Sequence, residues 1–432
     1  MATEKGPDVR GLGRATDAEA GLPPAQAKPG IRYMFSSLQN RDYRWLWTGT
    51  VIFFAAQQMQ IVARGWLVYD MTGSAKALGL VTTASGLPMV LVSLIGGVAA
   101  DRVDKRRLLM ASQMVVGVAT LGQAILIVTH TVQLWHLMVA ALITGAAFSF
   151  NMPARQALVP ELVGENQLMN AIALNSAGSN LTRIVSPAIA GVLIGVIGVS
   201  GVYFVMVAGY ALVVASVYRV SAGDPVPTID RPSMAAQLGQ GFSYIAGNSV
   251  VKWLLIQAVV FLPLAMQLQL LMPVFAVKVF HMGASGYGTL LSSLGIGGLI
   301  GSMTVASLTE FRRKGVLLLT TGAIYGGLTA LFAVISLGGN SLIGMSFLVL
   351  VGIANMAFMA TNNTILMTQS DPSMRGRVMA VYLMGFGLQP LLAVPSGALA
   401  DAIGAPQTMI FAGSLMAAVT LFMAARPHIR NA

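Results

Sequence analysis

Apolar segments of about 18 to 28 residues follow one another from Tyr43 almost to the end of the chain. Each is long enough to cross a hydrocarbon core of about 30 Å as a helix. Because a backbone in lipid must satisfy its own hydrogen bonds, these segments are predicted to be α-helices. Twelve are predicted, at residues 43–70, 77–100, 106–129, 133–154, 168–197, 201–220, 251–279, 285–308, 314–337, 341–364, 375–401 and 405–425.

Polar positions recur at a constant offset, which indicates a duplicated chain. Gln58 precedes Gln267 by 209 residues, and Asp101 precedes Glu310 by the same number. Two pseudo-symmetric six-helix bundles facing each other are therefore predicted. In chain order the prediction is a disordered cytoplasmic tail at 1–40, a first bundle at 41–220, a cytoplasmic linker with a possible surface helix at 221–250, a second bundle at 251–427 and a tail at 428–432.

Composition agrees with a chain embedded in lipid. Hydrophobic residues make up 56% and charged residues 9%, whereas soluble proteins carry about 25% charged residues. Cysteine is absent and the four histidines lack metal-ligand spacing, so neither a disulfide nor a metal or other cofactor is expected. A membrane enzyme is not predicted either, because no nucleophile with a base and no Gly-Lys phosphate loop occurs.

The net charge of +11 comes from basic residues that lie mostly at the ends of the predicted spans. Most basic residues lie at the span ends on one side of the membrane, and the connections on the other side contain few basic residues beyond Lys76 and Lys278. The positive-inside rule therefore predicts that both termini are cytoplasmic. Nucleic acid is not an expected partner. The basic residues at the other span ends include Arg32, Arg41, Arg44, Arg102, Lys105, Arg106, Arg107, Arg155, Arg219, Arg231, Arg312, Arg313, Lys314, Arg375, Arg377, Arg426 and Arg430.

Several motifs carry a resemblance to a known family. The segment from Gly97 to Arg106 is similar to the loop signature between the second and third helices of the major facilitator superfamily, with Ala99 and Asp104 in place of a leucine and a glycine. Segments 151–155, 159–163, 170–176 and 375–379 resemble the bacterial branch that includes the enterobactin exporter. The resemblance covers residues 40–425. It implies a secondary transporter in the bacterial inner membrane that works by alternating access, as an exporter.

The resemblance gives the charged loop a function as a conformational latch. An interhelical ion pair, and a carboxylate near a neighbouring helix N-terminus, would hold one face of the transporter shut. The alternative is that these charges only anchor helix ends and set the topology. The residues assigned to the latch are Gly97, Asp101, Arg102, Lys105 and Arg106.

Polar residues inside two spans predict a substrate cavity. Gln57, Gln60 and Arg64 share one face of the first span, where contact with lipid would be costly. No carboxylate lies near the centre of any span, so an anionic or acceptor-rich substrate is expected to pair with the arginines. The alternative is structural: arginine bonds carbonyls or snorkels, and glutamine joins helices. The full predicted set is Gln57, Gln60, Arg64, Asn175, Ser179, Thr182, Arg183, Gln267 and Gln269.

Evidence on proton coupling is divided. Ser186, Pro187 and Gly191 resemble the fifth-helix motif of the family's antiporters, with Ser186 in place of a glycine. However, the arginine that the family carries four residues before a fourth-helix glycine is Ala141 here. Proton-driven export of a siderophore-like or drug-like molecule by a monomer is the leading hypothesis. A lipid or lysolipid flippase, a channel, and an importer or facilitator of the same fold stay open.

Overall fold

The computed structural model describes residues 35–221, 234–307 and 313–426, except for the side chains of 90, 93–102, 234–238, 306, 380, 383, 384 and 386. Within these ranges the chain forms helices joined by short connections. In chain order they are α1 (Arg41–Thr72), α2 (Ala75–Arg102), α3 (Lys105–Val128), α4 (Leu134–Tyr218), α5 (Met234–Gly247), α6 (Ser249–Val274, continued by a π-helical turn at Phe275–Val279), α7 (Ala284–Ser307), α8 (Lys314–Ser336), α9 (Ser341–Gln369), α10 (Arg375–Gly387), α11 (Gln389–Ile403) and α12 (Ala405–Ala424).

Two glycines divide α4 into three segments. A straight helix of 85 residues would be about 128 Å long, far more than one membrane crossing needs. Gly164 and Gly198 have φ angles of 67° and 73°, in the left-handed region that favours glycine, and each interrupts the helix. The segments 134–163, 165–197 and 199–218 correspond to the fourth, fifth and sixth predicted spans.

The helix bounds agree with the twelve predicted spans at most ends. In the described residues, eight helices are long and apolar enough to cross a membrane, with α4 counted once. The fourth span was predicted to end at 154, yet the helix continues to 163 and includes the buried Arg155. The eleventh span is interrupted at Leu388, between α10 and α11. Together with the absence of strands in the described ranges, this confirms the predicted all-α membrane fold.

The predicted tails and linker are covered only in part. Residues 1–34, 222–233 and 427–432 lie outside the described residues. Ser36–Gln39 form a 3-10 turn, and Ser37 hydrogen-bonds Asn170, so ordered structure begins before residue 41. Between 221 and 250, residues Met234–Gly247 form α5.

Packing brings each half of the chain together and joins the halves along two helix pairs. Helices α1, α2 and α3 pack on α4, while α7 and α8 pack on α9 and α12 packs on α8. Across the molecule α2 contacts α11 and α4 contacts α7. Lipid is as apolar as leucine, so close packing of small residues and hydrogen bonds, rather than hydrophobicity, hold such helix pairs together.

The bundle has two distinct ends, which we call the basic end and the opposite end. At the basic end, Arg106 lies over the Tyr218 ring and Arg219 over the Trp45 ring. The opposite end contains the connections α1–α2, α3–α4 and α11–α12. The assignment of the basic end to the cytoplasm stays a prediction.

Candidate substrate cavity

A cavity of about 310 Å³ lies between the two halves of the chain. Helices α1 to α4 supply most of its wall, and α6, α7 and α11 supply the rest. It is lined by Phe53, Gln57, Gln60, Ile61, Arg64, Gly65, Val68, Leu78, Val81, Thr82, Ser85, Gly86, Met89, Ser112, Gln113, Val116, Thr144, Gly145, Ala147, Phe148, Asn151, Tyr210, Met266, Gln269, Leu270, Pro273, Tyr287 and Gln389.

Arg64 is the charged residue in this wall. Its side chain is partly exposed to the cavity, and no carboxylate of the described residues forms an ion pair with it. Tyr210 and Tyr287 line the same cavity. Gln57 and Gln60 of the predicted set face the same space. The cavity wall is therefore cationic and also carries amides and phenols.

Arg183 lies in an adjacent space rather than in the main cavity. That space measures about 20 Å³, enough for about one water molecule, and Arg183 shares it with Gln58. Gln269 and Ile61 line both spaces. The structure thus brings together Gln57, Gln60, Arg64 and Gln269, with Arg183 beside them.

The other predicted cavity residues face elsewhere. Asn175 accepts a hydrogen bond from Tyr43 at the basic end, with 3.5 Å between the atoms. Ser179 and Thr182 hydrogen-bond to carbonyls of their own helix. Gln267 is buried and lines an apolar pocket between α6, α11 and α12. Residues two apart on a helix point in different directions, which is why Gln267 and Gln269 separate.

Arg155, interpreted from sequence as a loop residue, is instead buried inside α4. Only 4% of it is exposed, and its guanidinium donates to Thr50 Oγ1 at 2.5 Å and lies 5.0 Å from the centre of the Phe53 ring. One feature of the sequence could have indicated that Arg155 is buried: Asn151 precedes it by one helical turn. Arg155 was therefore wrongly counted among the basic loop residues.

The two halves meet closely at the opposite end, along α2 and α11. Thr83 Oγ1 donates to the Pro390 carbonyl at 2.6 Å. Nearer the end, Asp401 accepts three hydrogen bonds from the start of α2: from Ser74 Oγ at 2.6 Å, Ala75 N at 2.7 Å and Lys76 N at 3.0 Å. A carboxylate from one half thus caps a helix of the other half, where the helix dipole favours negative charge.

The second contact between the halves joins the 165–197 segment of α4 to α7. Ser292 donates to the Ile184 carbonyl at 2.6 Å, and Ser285 donates to the Gly191 carbonyl at 3.1 Å. A Cβ at Gly288 would collide with the Pro187 carbonyl, so only glycine permits this approach. The antiporter-like motif residues Ser186, Pro187 and Gly191 therefore lie at or beside this helix contact, and Ser186 is buried.

The predicted latch at the basic end is described only in part. Gly97, Asp101 and Arg102 lie where side chains are outside the described residues. Lys105 forms an ion pair with Glu161 of α4, and Arg106 donates to the Val217 and Tyr218 carbonyls of α4. These contacts join α3 to α4 within the first half, and the latch itself stays a prediction.

Comparison with known proteins identifies the family. The model of the family MFS_3, described as transmembrane secretion effector, matches residues 33–430. The chain belongs to this family. Membership confirms the major facilitator resemblance and the prediction that the chain is a transporter and not an enzyme.

Individual relatives of this transmembrane secretion effector include efflux proteins. The multidrug efflux pump Tap of Mycolicibacterium fortuitum is 27% identical over 366 residues, which cover 82% of this chain and 88% of Tap. The enterobactin exporter EntS of Citrobacter koseri is 26% identical over 336 residues, covering 76% and 79%. The structure of the nucleoside transporter NupG superposes on this chain with a TM-score of 0.74 and 11% sequence identity, covering 89% of this chain and 99% of NupG. At this identity the similarity supports the fold alone.

Proposed function

We propose that this transmembrane secretion effector exports a small organic anion, or an acceptor-rich amphiphile, across the bacterial inner membrane by alternating access. The observation that carries the proposal is Arg64, a guanidinium in the cavity wall without an ion-pair partner among the described carboxylates. An ionisable residue at membrane depth is costly and faces a cavity or a partner. A negatively charged group of the cargo would be that partner.

The size and lining of the cavity favour a small aromatic or amphiphilic cargo. About 310 Å³ falls at the lower end of the range of ligand pockets. Phe53, Phe148 and Met266 supply apolar surface, while Gln60 and Gln269 supply amides that bond either donors or acceptors. Relatives named for the export of drugs and of a siderophore agree with such a cargo.

The contacts between the halves support a direction for the cycle. The cavity is closed by α2 against α11 and by α4 against α7, and the hydrogen bonds of both pairs lie toward the opposite end. Cargo would therefore enter at the basic end, which we propose faces the cytoplasm, and leave when these contacts separate. We propose that one chain suffices, because its own helices enclose the cavity.

We also propose that protons drive export, and that protonation of Asp401 triggers opening of the opposite end. Asp401 joins the two halves by three hydrogen bonds, one of them from the Lys76 backbone N–H, and Lys278 is the cation that interacts with it. Protonation would remove the negative charge that these donors stabilise, and so free the opposite end. An inward-directed proton gradient would then accelerate export.

The test is counterflow in proteoliposomes with naphthalene-2-sulfonate, a permanently charged aromatic anion. Preloaded unlabelled sulfonate should drive saturable, transient accumulation of labelled sulfonate. An imposed pH gradient should increase the rate, and Asp401→Asn should lose that increase. Accumulation without saturation would support a channel, movement of labelled lipid instead of sulfonate would support a flippase, and either result would overturn the proposal.

A further inference from the structure

A cluster of buried polar side chains lies in the cavity wall toward the basic end. Gln113 and Asn151 are each 1% exposed and line the cavity, and Arg155 lies directly behind Asn151. Asn151 Nδ2 donates to Ser112 Oγ at 3.2 Å, and Arg155 Nε lies 3.4 Å from Asn151 Oδ1. These residues come from α3 and α4, so the cluster belongs to the first half of the chain.

The cluster has unused hydrogen-bonding capacity. Both amide atoms of Gln113 and the Nη2 atom of Arg155 are buried without a hydrogen-bond partner. Such groups lose hydration without compensation, at a cost of about 1–3 kcal/mol each and more for a charge. No carboxylate of the described residues pairs with Arg155. A cargo group that accepts hydrogen bonds would satisfy Gln113 Nε2, which lines the cavity, and its negative charge would lie near the unpaired guanidinium of Arg155.

The cluster and Arg64 lie at different depths along the cavity. Arg155 bonds Thr50, and Thr50 precedes Arg64 by 14 residues on α1. At 1.5 Å per residue, the Cα atoms of Thr50 and Arg64 are about 21 Å apart along the helix, so the two arginines lie at different depths. Gln57 and Gln60 line the cavity between them.

We propose that Gln113, Asn151 and Arg155 form a second binding site, which takes the anionic oxygens of the cargo at the basic end before they reach Arg64. This inference rests on the proposed function. Gln113 Nε2 and Asn151 provide the direct contacts, and the charge of Arg155 attracts the anion through a medium of low dielectric constant. The cargo would thus move between two cationic sites within one cavity.

Gln113→Leu tests the site without endangering the fold. Replacing a buried amide that has no partner by an apolar side chain of similar size is nearly neutral or stabilising. The variant should therefore keep or raise the melting temperature of the protein. It should also weaken the binding of naphthalene-2-sulfonate at least about ten-fold, which corresponds to about 1.4 kcal/mol of binding free energy. Binding is measured by calorimetry on the full chain in detergent micelles.

Gln123→Leu is the matched control. Gln123 lies on the same helix, is 2% exposed and also has both amide atoms without partners, but it does not line the cavity. Its replacement should leave sulfonate binding within about two-fold of wild type, which is within about 0.4 kcal/mol. Equal effects of the two substitutions would overturn the second site, because they would show a general effect of buried amides.

Charge variants separate this inference from the proposed function. Arg155→Gln should weaken the binding of naphthalene-2-sulfonate more than the binding of the neutral naphthalene-2-sulfonamide. Arg155→Lys keeps the charge, so it should restore part of the preference for the sulfonate. If wild type binds the two probes equally, the proposed function fails. If Arg64→Gln removes the preference for the anion while Arg155→Gln and Gln113→Leu preserve it, only the second site fails.

Discussion

The Asp401 carboxylate accepts a hydrogen bond from the Ala75 backbone N–H across the two halves of the chain, at 2.7 Å. Ser74 and Lys76 donate to the same carboxylate. The segment Gly397–Gly404 repeats part of the loop signature between the second and third helices, but at the opposite end of the bundle. Its aspartate therefore has a physical function of its own, which is to cap α2.

Asp401→Asn should loosen the opposite end. The amide loses the negative charge and one acceptor, and hydrogen bonds to charged groups are worth about 1.5–3 kcal/mol. Leu78 lines the cavity and is 4% exposed, so a cysteine there reports opening. Modification of Leu78→Cys by an impermeant maleimide should accelerate about ten-fold in the Asp401→Asn background, as expected for a shift of about 1.4 kcal/mol.

Asp70→Asn is the control for this experiment, because Asp70 is an exposed carboxylate at the same end. It should leave the rate of modification at Leu78→Cys unchanged. Similar rates in the Asp401→Asn and Asp70→Asn backgrounds would contradict the capping function.

Arg183→Gln should affect anion binding less than Arg64→Gln. Arg64 lines the main cavity, whereas Arg183 lines a space of about 20 Å³ that holds about one water molecule. We expect about a ten-fold or greater loss of naphthalene-2-sulfonate affinity for Arg64→Gln, and a loss below about three-fold for Arg183→Gln. Calorimetry with the sulfonate and the sulfonamide measures both, and a larger loss for Arg183→Gln would reverse the assignment.

Gly288→Ala should hinder closure of the opposite end. The added Cβ would meet the Pro187 carbonyl, which is backbone and cannot rotate away. We expect normal insertion, slower counterflow and faster modification of Leu78→Cys. A Cβ at Gly327 of α8 meets nothing within 4 Å, so Gly327→Ala is the control and should behave as wild type. Equal counterflow in the two variants would argue against a closing contact at Gly288.

Asp101→Asn tests the predicted latch at the basic end. The family motif predicts that the variant inserts normally but transports more slowly, because a charge that stabilises one conformation is lost. Turnover in proteoliposomes, normalised to inserted protein, measures this. Turnover equal to wild type would leave the loop with only an anchoring function.

Sequence patterns predicted the helices well because length and apolarity are local properties. They also predicted that Gln57, Gln60 and Arg64 share a face, since that follows from helical spacing. They failed at Arg155, because its burial depends on Thr50 and Phe53, more than 100 residues away along the chain. Only the packing of α1 on α4 reveals it.

The same limit applies to contacts between the two halves. The sequence contained a motif copy around Asp401 but not its partner, because the start of α2 is more than 300 residues away. Likewise, Tyr287 and Gln113 gave no signal as cavity residues, since aromatic residues and single amides in apolar spans are common. Their function depends on which helices meet, and periodicity does not encode that.

Alternating access requires the two ends of the bundle to open in turn, and paired spin labels measure this directly. The chain contains no cysteine, so labels can be placed without background changes. Thr131→Cys with Leu337→Cys reports the opposite end, and Arg107→Cys with Arg313→Cys reports the basic end; all four positions are exposed. Adding naphthalene-2-sulfonate, or introducing Asp401→Asn, should lengthen the Thr131–Leu337 distance and shorten the Arg107–Arg313 distance. Distances that stay unchanged, or that lengthen together at both ends, would contradict alternating access.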